Sequence, residues 1–317
     1  MSDPVFSIIT PTFRRPHLLR RALLSIRGQT FGNYEHIIVD DAAQEESAKV
    51  VMSFEDPRIV YHSHEAPRGA GAAYNTGIRL SRGKFVLFLD DDDEYLSEFL
   101  DKMYRFFSSA DPSVGFAWAG IAWISDTEAG EKEVRKIIWP AAFPHMQTGL
   151  MAATSIGNGF GVCIRRECID AIGWFDESLI CGQDTEFLFR LARSYPFGTI
   201  PEVLVKIHQH NCKQLTDTKN DLMRLEFRKQ ILQRHLDLLR KYPRLYQVHY
   251  KGVADYSYRL GLRKQGRKTV CSLIRINPFN LINYADLLCY ELAGKDALAC
   301  YKNSLIRRML RISKRAL

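Results

Sequence analysis

In the first ninety residues, short apolar runs alternate with stretches of helical periodicity, and that alternation leaves few folds open. VFSIIT, EHIIVDD (35–41), RIVYH (58–62) and KFVLFL read as strands rich in β-branched and aromatic residues. Between them, PTFRRPHLLRRALLSIRGQ carries Leu19, Ala22, Leu23 and Ile26 at helical spacing. Further helices are predicted near 43–54 and over about 70–81. Strands alternating with helices imply an α/β fold, a mostly parallel Rossmann-like sheet with right-handed crossovers and flanking helices. Farther on, strands are predicted near 114–124 and 158–165, a helix from about Asp184, and a last strand in PEVLVKIHQH.

The fourth strand ends unusually. FVLFLDDDDEYL (85–96) runs from a doubly buried apolar strand straight into four aspartates and a glutamate. Two carboxylates about 4 Å apart repel by roughly 1 kcal/mol in water and more in a drier cleft, so this run anticipates a cation. Asp40 and Asp41 close the second strand in the same way. In parallel sheets ligands bind outside the carboxyl ends of the strands, which puts both acidic clusters on one crevice. A D-x-D or D-D pair offers hard oxygens that suit Mg²⁺ or Mn²⁺ carrying a substrate's phosphates. Arg68 stands beside the flexible stretch GAGAAYNTG (69–77), where a fixed cation would hold a diphosphate; read alone, it is a surface arginine. GAGAAYNTG is no dinucleotide fingerprint, because Tyr74 occupies the place of the third glycine and no strand directly precedes it. His62, His64 and Glu65 are too close in sequence to close a metal site and read as structural.

Length and composition bound the rest. The 317 residues, 46% of them hydrophobic, suffice for one large or two modest cores. Seven cysteines show no CxxC pair and no zinc spacing, and read as reduced packing residues. The start, MSDPVFSIITPTF, has neither a positive n-region nor a long apolar h-region, which predicts no secretory signal and a cytoplasmic protein. FAWAGIAWI (116–124) is about half the ~20 residues a membrane span needs. Charge divides the chain: residues 221–317 hold 21 Lys/Arg against 7 Asp/Glu, net +14, leaving −6 for residues 1–220. The expected boundary lies there, with a catalytic domain over 1–220 and a basic helical region over 221–317.

Three segments occur in order, SIITPTFRRPHLLRRALLSIRGQTFGNYEHIIVDD, AAYNTGIRLSRGKFVLFLDDDD and GWFDESLICGQDTEFLFRL, within a likeness that covers about residues 4–216. Together they resemble the family 2 glycosyltransferases, which have the GT-A fold. The resemblance implies inverting transfer of a hexose from a nucleotide sugar, with UDP the expected nucleotide, to a hydroxyl of a glycan or lipid-linked acceptor. It implies that Asp41 contacts the nucleobase in a pocket walled by Thr10, Pro11 and Phe13, and that Arg68 lies near the diphosphate. The D-x-D maps onto Asp90, Asp91 and Asp92, with Asp92 the metal ligand for Mn²⁺ or Mg²⁺ and Asp90 nearer the ribose and sugar. Gln183 and Asp184 match the family's E-D pair, making Asp184 the catalytic base. His210, with His208 second, matches a histidine that approaches the metal or diphosphate. Gln183 in place of glutamate, and DDAA in place of D-D-x-S, depart from the pattern. The setting implied is bacterial surface polysaccharide or lipopolysaccharide synthesis.

The chain closes with YKNSLIRRMLRISKRAL. On a helix, Leu305, Ile306, Met309, Leu310 and Ile312 share one side, and Arg307, Arg308, Arg311, Lys314 and Arg315 fan across the other. That pattern is expected to lie peripherally on an anionic membrane surface, at the cytoplasmic face of the inner membrane; the competing reading packs its apolar side on the protein. Nucleic-acid binding explains the basic half but not the acidic crevice, and no nucleic-acid motif is present. A nucleotidyltransferase would want a glycine-rich loop after the first strand, and PTFRRP has no glycine. A nucleotide-sugar-binding module without catalysis is the remaining alternative, separated by measurable transfer.

Overall fold

Burial on both faces produces the central strands. In the computed structural model, which describes residues 3–43, 45–127, 130–139, 161–209 and 221–293, β1 (Phe6–Thr12), β2 (Tyr34–Asp40) and β4 (Phe85–Phe88) are buried almost throughout. β1 pairs in parallel with both β2 and β4, and β2 with β3 (Ile59–Ser63). The crossovers are α1 (Pro16–Arg27), α2 (Glu45–Met52) and α3 (Ala70–Leu80). Past β4 come β5 (Glu94–Tyr95), α4 (Phe99–Ser109), β6 (Phe116–Thr127), β7 (Gly130–Ile137), β8 (Val162–Arg165), α5 (Arg166–Ile172), α6 (Gln183–Ser194) and β9 (Phe197–Gln209). The sheet runs β3-β2-β1-β4-β8-β6-β9-β5, with β7 on β6. Its β3-to-β4 half is parallel, while β8 runs antiparallel to both β4 and β6. The expectation of an α/β fold with a mostly parallel, helix-flanked sheet holds in class; the parallel pairs are those of β1 to β4 and of β6 with β9, and β5, β7 and β8 pair antiparallel.

Two local readings need correction. The stretch from Pro11 is not yet helix: Pro11 and Thr12 continue β1 in register with Val39 and Asp40, and α1 starts only at Pro16. Proline suits a helix's first turn, where its missing N–H costs nothing. β7 escaped the sequence reading because it is almost wholly exposed and largely charged, so it carries little apolar signal; among the described residues it pairs with β6. Residues 158–160 of the strand expected at 158–165 lie outside the described residues.

The chain divides into two compact units, residues 1–212 and 213–317. The second contains α7 (Asp221–Arg234), α8 (Leu236–Lys241), α9 (Pro243–Arg259), α10 (Arg263–Ile276) and α11 (Leu281–Ala293), the helical extension expected from the sequence. Ala254 and Tyr258 of α9, Val270 of α10 and Tyr290 of α11 form a buried cluster there, with the Tyr258 and Tyr290 rings stacked 4.4 Å apart. No described helix is long and apolar enough to cross a membrane. The amphipathic segment 301–317 lies outside the described residues.

α3 packs tightly against β1 at one glycine. A Cβ on Gly77 would overlap Ile9 Cγ2 of β1, whereas one on Gly71 would meet only ordinary contacts, the nearest at 3.6 Å. Alanine gains roughly 1 kcal/mol of helix propensity over glycine, and overpacking a core costs about 1–3 kcal/mol. Gly77→Ala is therefore expected to lower the urea midpoint, while Gly71→Ala leaves it unchanged or raises it. Equal effects of the two substitutions would show that α3 does not set the spacing to β1.

Candidate active site

The four aspartates after β4 do four different things, and the fully buried one is pivotal. Asp91 accepts a 2.7 Å hydrogen bond from Thr12 Oγ1 and is salt-bridged to the Arg15 guanidinium. Arg15 also reaches Asp92 Oδ2 at 2.8 Å. Burial pushes the Asp91 carboxyl up to about 7, with Arg15 opposing the rise. Arg15 itself is held above its usual range by Asp91, Asp92 and Asp90, against the cost of burial.

With Asp91 turned inward, Asp90, Asp92 and Asp93 each bring a carboxylate oxygen within 4.8 Å of the others. Asp90 accepts from Tyr74 Oη at 2.8 Å, and burial followed by the Asp92 charge raises it to about 6. Asp93 accepts the His208 backbone N–H at 2.9 Å, and burial, then Asp92 and Asp90, hold it well above the carboxylate range. Three crowded carboxylates, two of them pushed toward protonation, match a hard-oxygen site for Mg²⁺ or Mn²⁺. Beside them, His208 Nε2 lies 2.7 Å from Glu94 Oε1, which keeps Glu94 below its usual range. Glu131 is close enough to make a second such group with Glu94 and His208, but Lys206 Nζ already stands 2.6 Å from its Oε2. His210 lies outside the described residues.

Asp184 enters from α6. Gly182, left-handed at φ 69°, caps the helix, and Asp184 Oδ1 accepts the Thr185 N–H at 2.7 Å. Burial raises the Asp184 carboxyl, and its charge in turn contributes to lifting Asp90 and Tyr74. Gln183 is buried, and its Oε1 has no hydrogen-bond partner among the described residues. What carries α6 to β4 is aromatic: Phe175 stacks on Phe187 at 4.3 Å and on Tyr74 at 4.9 Å, and Phe88 meets Phe175 edge-on at 5.3 Å. Asn75 of α3 fixes Phe175 by two backbone hydrogen bonds, at 3.0 and 2.9 Å.

Around β1 and β2 the site residues are engaged internally. Asp41 accepts the backbone N–H groups of Arg68 and Gly69, at 2.8 and 2.7 Å, and pairs with His64 Nδ1 at 2.7 Å. Gly69 takes φ 89° there, a conformation that glycine adopts without strain. Asp41 thus ties the 64–69 segment to the end of β2. The Arg68 side chain is half exposed, 3.3 Å from Glu177. Thr10 is fully buried and bonds His36 Nε2 at 2.9 Å; burial pushes that imidazole down to about 3, so it stays neutral. Pro11 is half-buried at the end of β1, and Phe13 is exposed under the Arg14 guanidinium.

The sequence reading missed Thr12, Arg15 and Tyr74. Tyr74 had been noticed only as the residue that spoils a glycine fingerprint, and its hydroxyl proves to hold Asp90. Arg15 carried one usable signal, a cation directly before the proline that starts α1.

A family model described as glycosyl transferase family 2 matches residues 7–169. The putative colanic acid biosynthesis glycosyl transferase WcaA of Escherichia coli (strain K12) is 30% identical over 202 residues, covering 61% of this chain and 68% of that protein. The UDP-Glc:alpha-D-GlcNAc-diphosphoundecaprenol beta-1,3-glucosyltransferase WfgD of Escherichia coli is 33% identical over 101 residues, 32% of this chain and only 40% of WfgD. Among solved structures, S. aureus TarS 1-349 in complex with UDP-GlcNAc superposes with TM-score 0.61 at 15% identity, over 85% of this chain and 80% of TarS. The fold is that of the GT-A enzymes.

The Asp91–Arg15 pair sets a pH dependence. Asp91 loses its proton near 3.8 when unfolded and near 7 when folded, so across that window stability falls as pH rises. Removing Arg15 lifts the folded value further, and the decline then continues above pH 7 by up to ~1.4 kcal/mol per pH unit. Urea midpoints in chelator should show Arg15→Gln falling further behind the wild type at about pH 8.5 than at about pH 6. In Arg15→Gln/Asp91→Asn that extra loss should shrink, the remainder coming from Asp90, which Arg15 also holds down; a gap independent of pH would mean that Arg15 does not neutralise Asp91.

Proposed function

The chain belongs to glycosyl transferase family 2, and from that premise we propose that it transfers a hexose with inversion from a UDP-sugar to a hydroxyl of a lipid-linked glycan. The single observation that carries this reading is the convergence of Asp90, Asp92 and Asp93 within 4.8 Å at the carboxyl end of β4, in electrostatic reach of Asp184. Asp90, Asp92 and Asp93 would hold Mn²⁺ or Mg²⁺, which when bound supplies positive charge against a diphosphate. Arg68, half exposed beside Glu177, would add a cation against the diphosphate.

Asp184 is the base in this reading. Burial raises its carboxyl and so makes the carboxylate a better proton acceptor. It takes the proton of the acceptor hydroxyl; that oxygen bonds to the anomeric carbon, the carbon–oxygen bond to the diphosphate breaks, and the electron pair leaves on the nucleotide. Gln183 Oε1, buried without a partner among the described residues, is suited to accept from the acceptor sugar. Pro11 and Phe13 line the base side, and Asp41 shapes it through the segment it anchors. The names of WcaA and WfgD support a polysaccharide setting and an acceptor on a lipid diphosphate. The reading that the chain works at the cytoplasmic face of the inner membrane rests on the basic, amphipathic sequence of 301–317.

A thermal-shift panel of UDP, GDP, dTDP and CMP, each with Mn²⁺, Mg²⁺ or EDTA, tests the donor site. A ligand at about a hundred times its Kd stabilises the folded state by ~2.7 kcal/mol. UDP is expected to stabilise only with metal, and Asp92→Ala to abolish the shift; no nucleotide-dependent shift would remove the reading. For the base, Asp184→Asn should keep the UDP shift and lose about 10²–10⁴-fold in transfer rate. Near-normal turnover by that variant would reassign the base.

A further inference from the structure

The second unit carries a surface that the transfer reaction does not use. On α11, Asn283, Asp286 and Tyr290 are buried, while Leu281, Tyr284 and Leu288 fall on the opposite side within a stripe about 60° wide. That outward stripe is apolar: Leu281 is 68% and Leu288 60% exposed. Phe279, in the turn that leads into α11, is 92% exposed, and Ile276 at the end of α10 is also exposed. Soluble surfaces rarely gather five large apolar side chains within thirteen residues without a partner.

The neighbouring helix says what kind of partner. α10 exposes Lys264, Lys268 and Arg275 along one side, while Val270 and Leu273 face inward. Glu291 of α11 joins the other two helices: the Arg267 guanidinium of α10 lies 2.6 Å from it, and the Tyr258 hydroxyl of α9 donates to the same carboxylate at 2.8 Å. The 24 residues beyond α11 add seven Lys/Arg against one Asp. An apolar stripe bordered by cations complements an anionic lipid surface, where the apolar side chains enter the acyl boundary and the cations meet headgroups.

We propose that the α10–α11 face, with Phe279 and Leu288 as its inserting side chains, is a membrane-contact surface for anionic lipid. It deepens the reading of a lipid-linked acceptor, on which it rests for its biological sense, and it is distinct from the 301–317 segment. Phe279 and Leu288 point away from the buried cluster, so replacing them leaves the helical packing in place.

The experiment is co-sedimentation of the full chain with phosphatidylglycerol-containing vesicles and with pure phosphatidylcholine vesicles, at low and high salt. The wild type is expected to pellet with the anionic vesicles and to be released by salt. Phe279→Glu/Leu288→Glu should weaken that partition about tenfold or more, and Lys264→Glu/Lys268→Glu should weaken it at low salt. Both variants should keep the wild-type melting temperature and the UDP-dependent thermal shift, so failure of this inference and failure of the donor-site reading appear in different measurements. Wild-type pelleting by Phe279→Glu/Leu288→Glu would overturn the inference, and if a chain ending at residue 301 then failed to pellet, the tail would be the contact. Equal binding of the wild type to both vesicle types would also overturn it. So would a wild-type dimer in sedimentation velocity that Phe279→Glu/Leu288→Glu splits, since the face would then belong to a second copy.

Discussion

A carboxylate removed from water needs its charge answered, and the candidate site is organised around how Asp91 meets that demand. Its oxygens are taken by Thr12 from the end of β1 and by Arg15 from the turn into α1. A buried ion pair is weak evidence for stability, because desolvation costs about as much as the pair returns. It does fix geometry. With the second aspartate of the run held by Thr12 and Arg15, Asp90, Asp92 and Asp93 converge on a separate small volume, themselves largely buried. The like charge left there is held by Tyr74, by the His208 backbone and by Arg15, each from a different element.

The second dependency is aromatic. Asp184 is 94 positions from Asp90, and no local rule joins them. The rings of Tyr74, Phe88, Phe175 and Phe187 link α3, β4, the segment before α6 and α6 itself. Stacked and edge-on ring pairs each add roughly 0.5–1.5 kcal/mol beyond area burial, and they fix relative orientation as well. Asn75 serves the same junction through the Phe175 backbone. Tyr74 belongs to both systems, stacking on Phe175 while its hydroxyl bonds Asp90. Tyr74 thereby ties the carboxylate cluster to the ring stack that reaches α6.

The second unit follows a different logic. Its helices bury a tyrosine-rich cluster and turn a cationic helix and an apolar stripe outward. The sheet-containing unit gathers carboxylates at its strand ends, whereas this one adds an exposed apolar stripe to its buried cluster. The charge imbalance of the sequence has its structural counterpart in that difference.

The sequence by itself determined the strand–helix alternation of the first ninety residues, the parallel start of the sheet, the carboxyl-end location of both acidic clusters and the helix that begins at Gln183. Those follow from periodicity and strand burial, which are local along the chain. The sequence also singled out Asp90, Asp91 and Asp92 as a group, but it could not separate their tasks. Only the tertiary structure turned Asp91 inward, gave Asp41 to the backbone of Arg68 and Gly69, and brought Tyr74 to Asp90. Thr12 is 79 positions from Asp91 and Asn75 is 100 from Phe175. Such pairings carry no periodic signal, because they depend on which strand ends the crossovers bring together. The same reason hid β7, whose charged face draws its place entirely from the edge of β6.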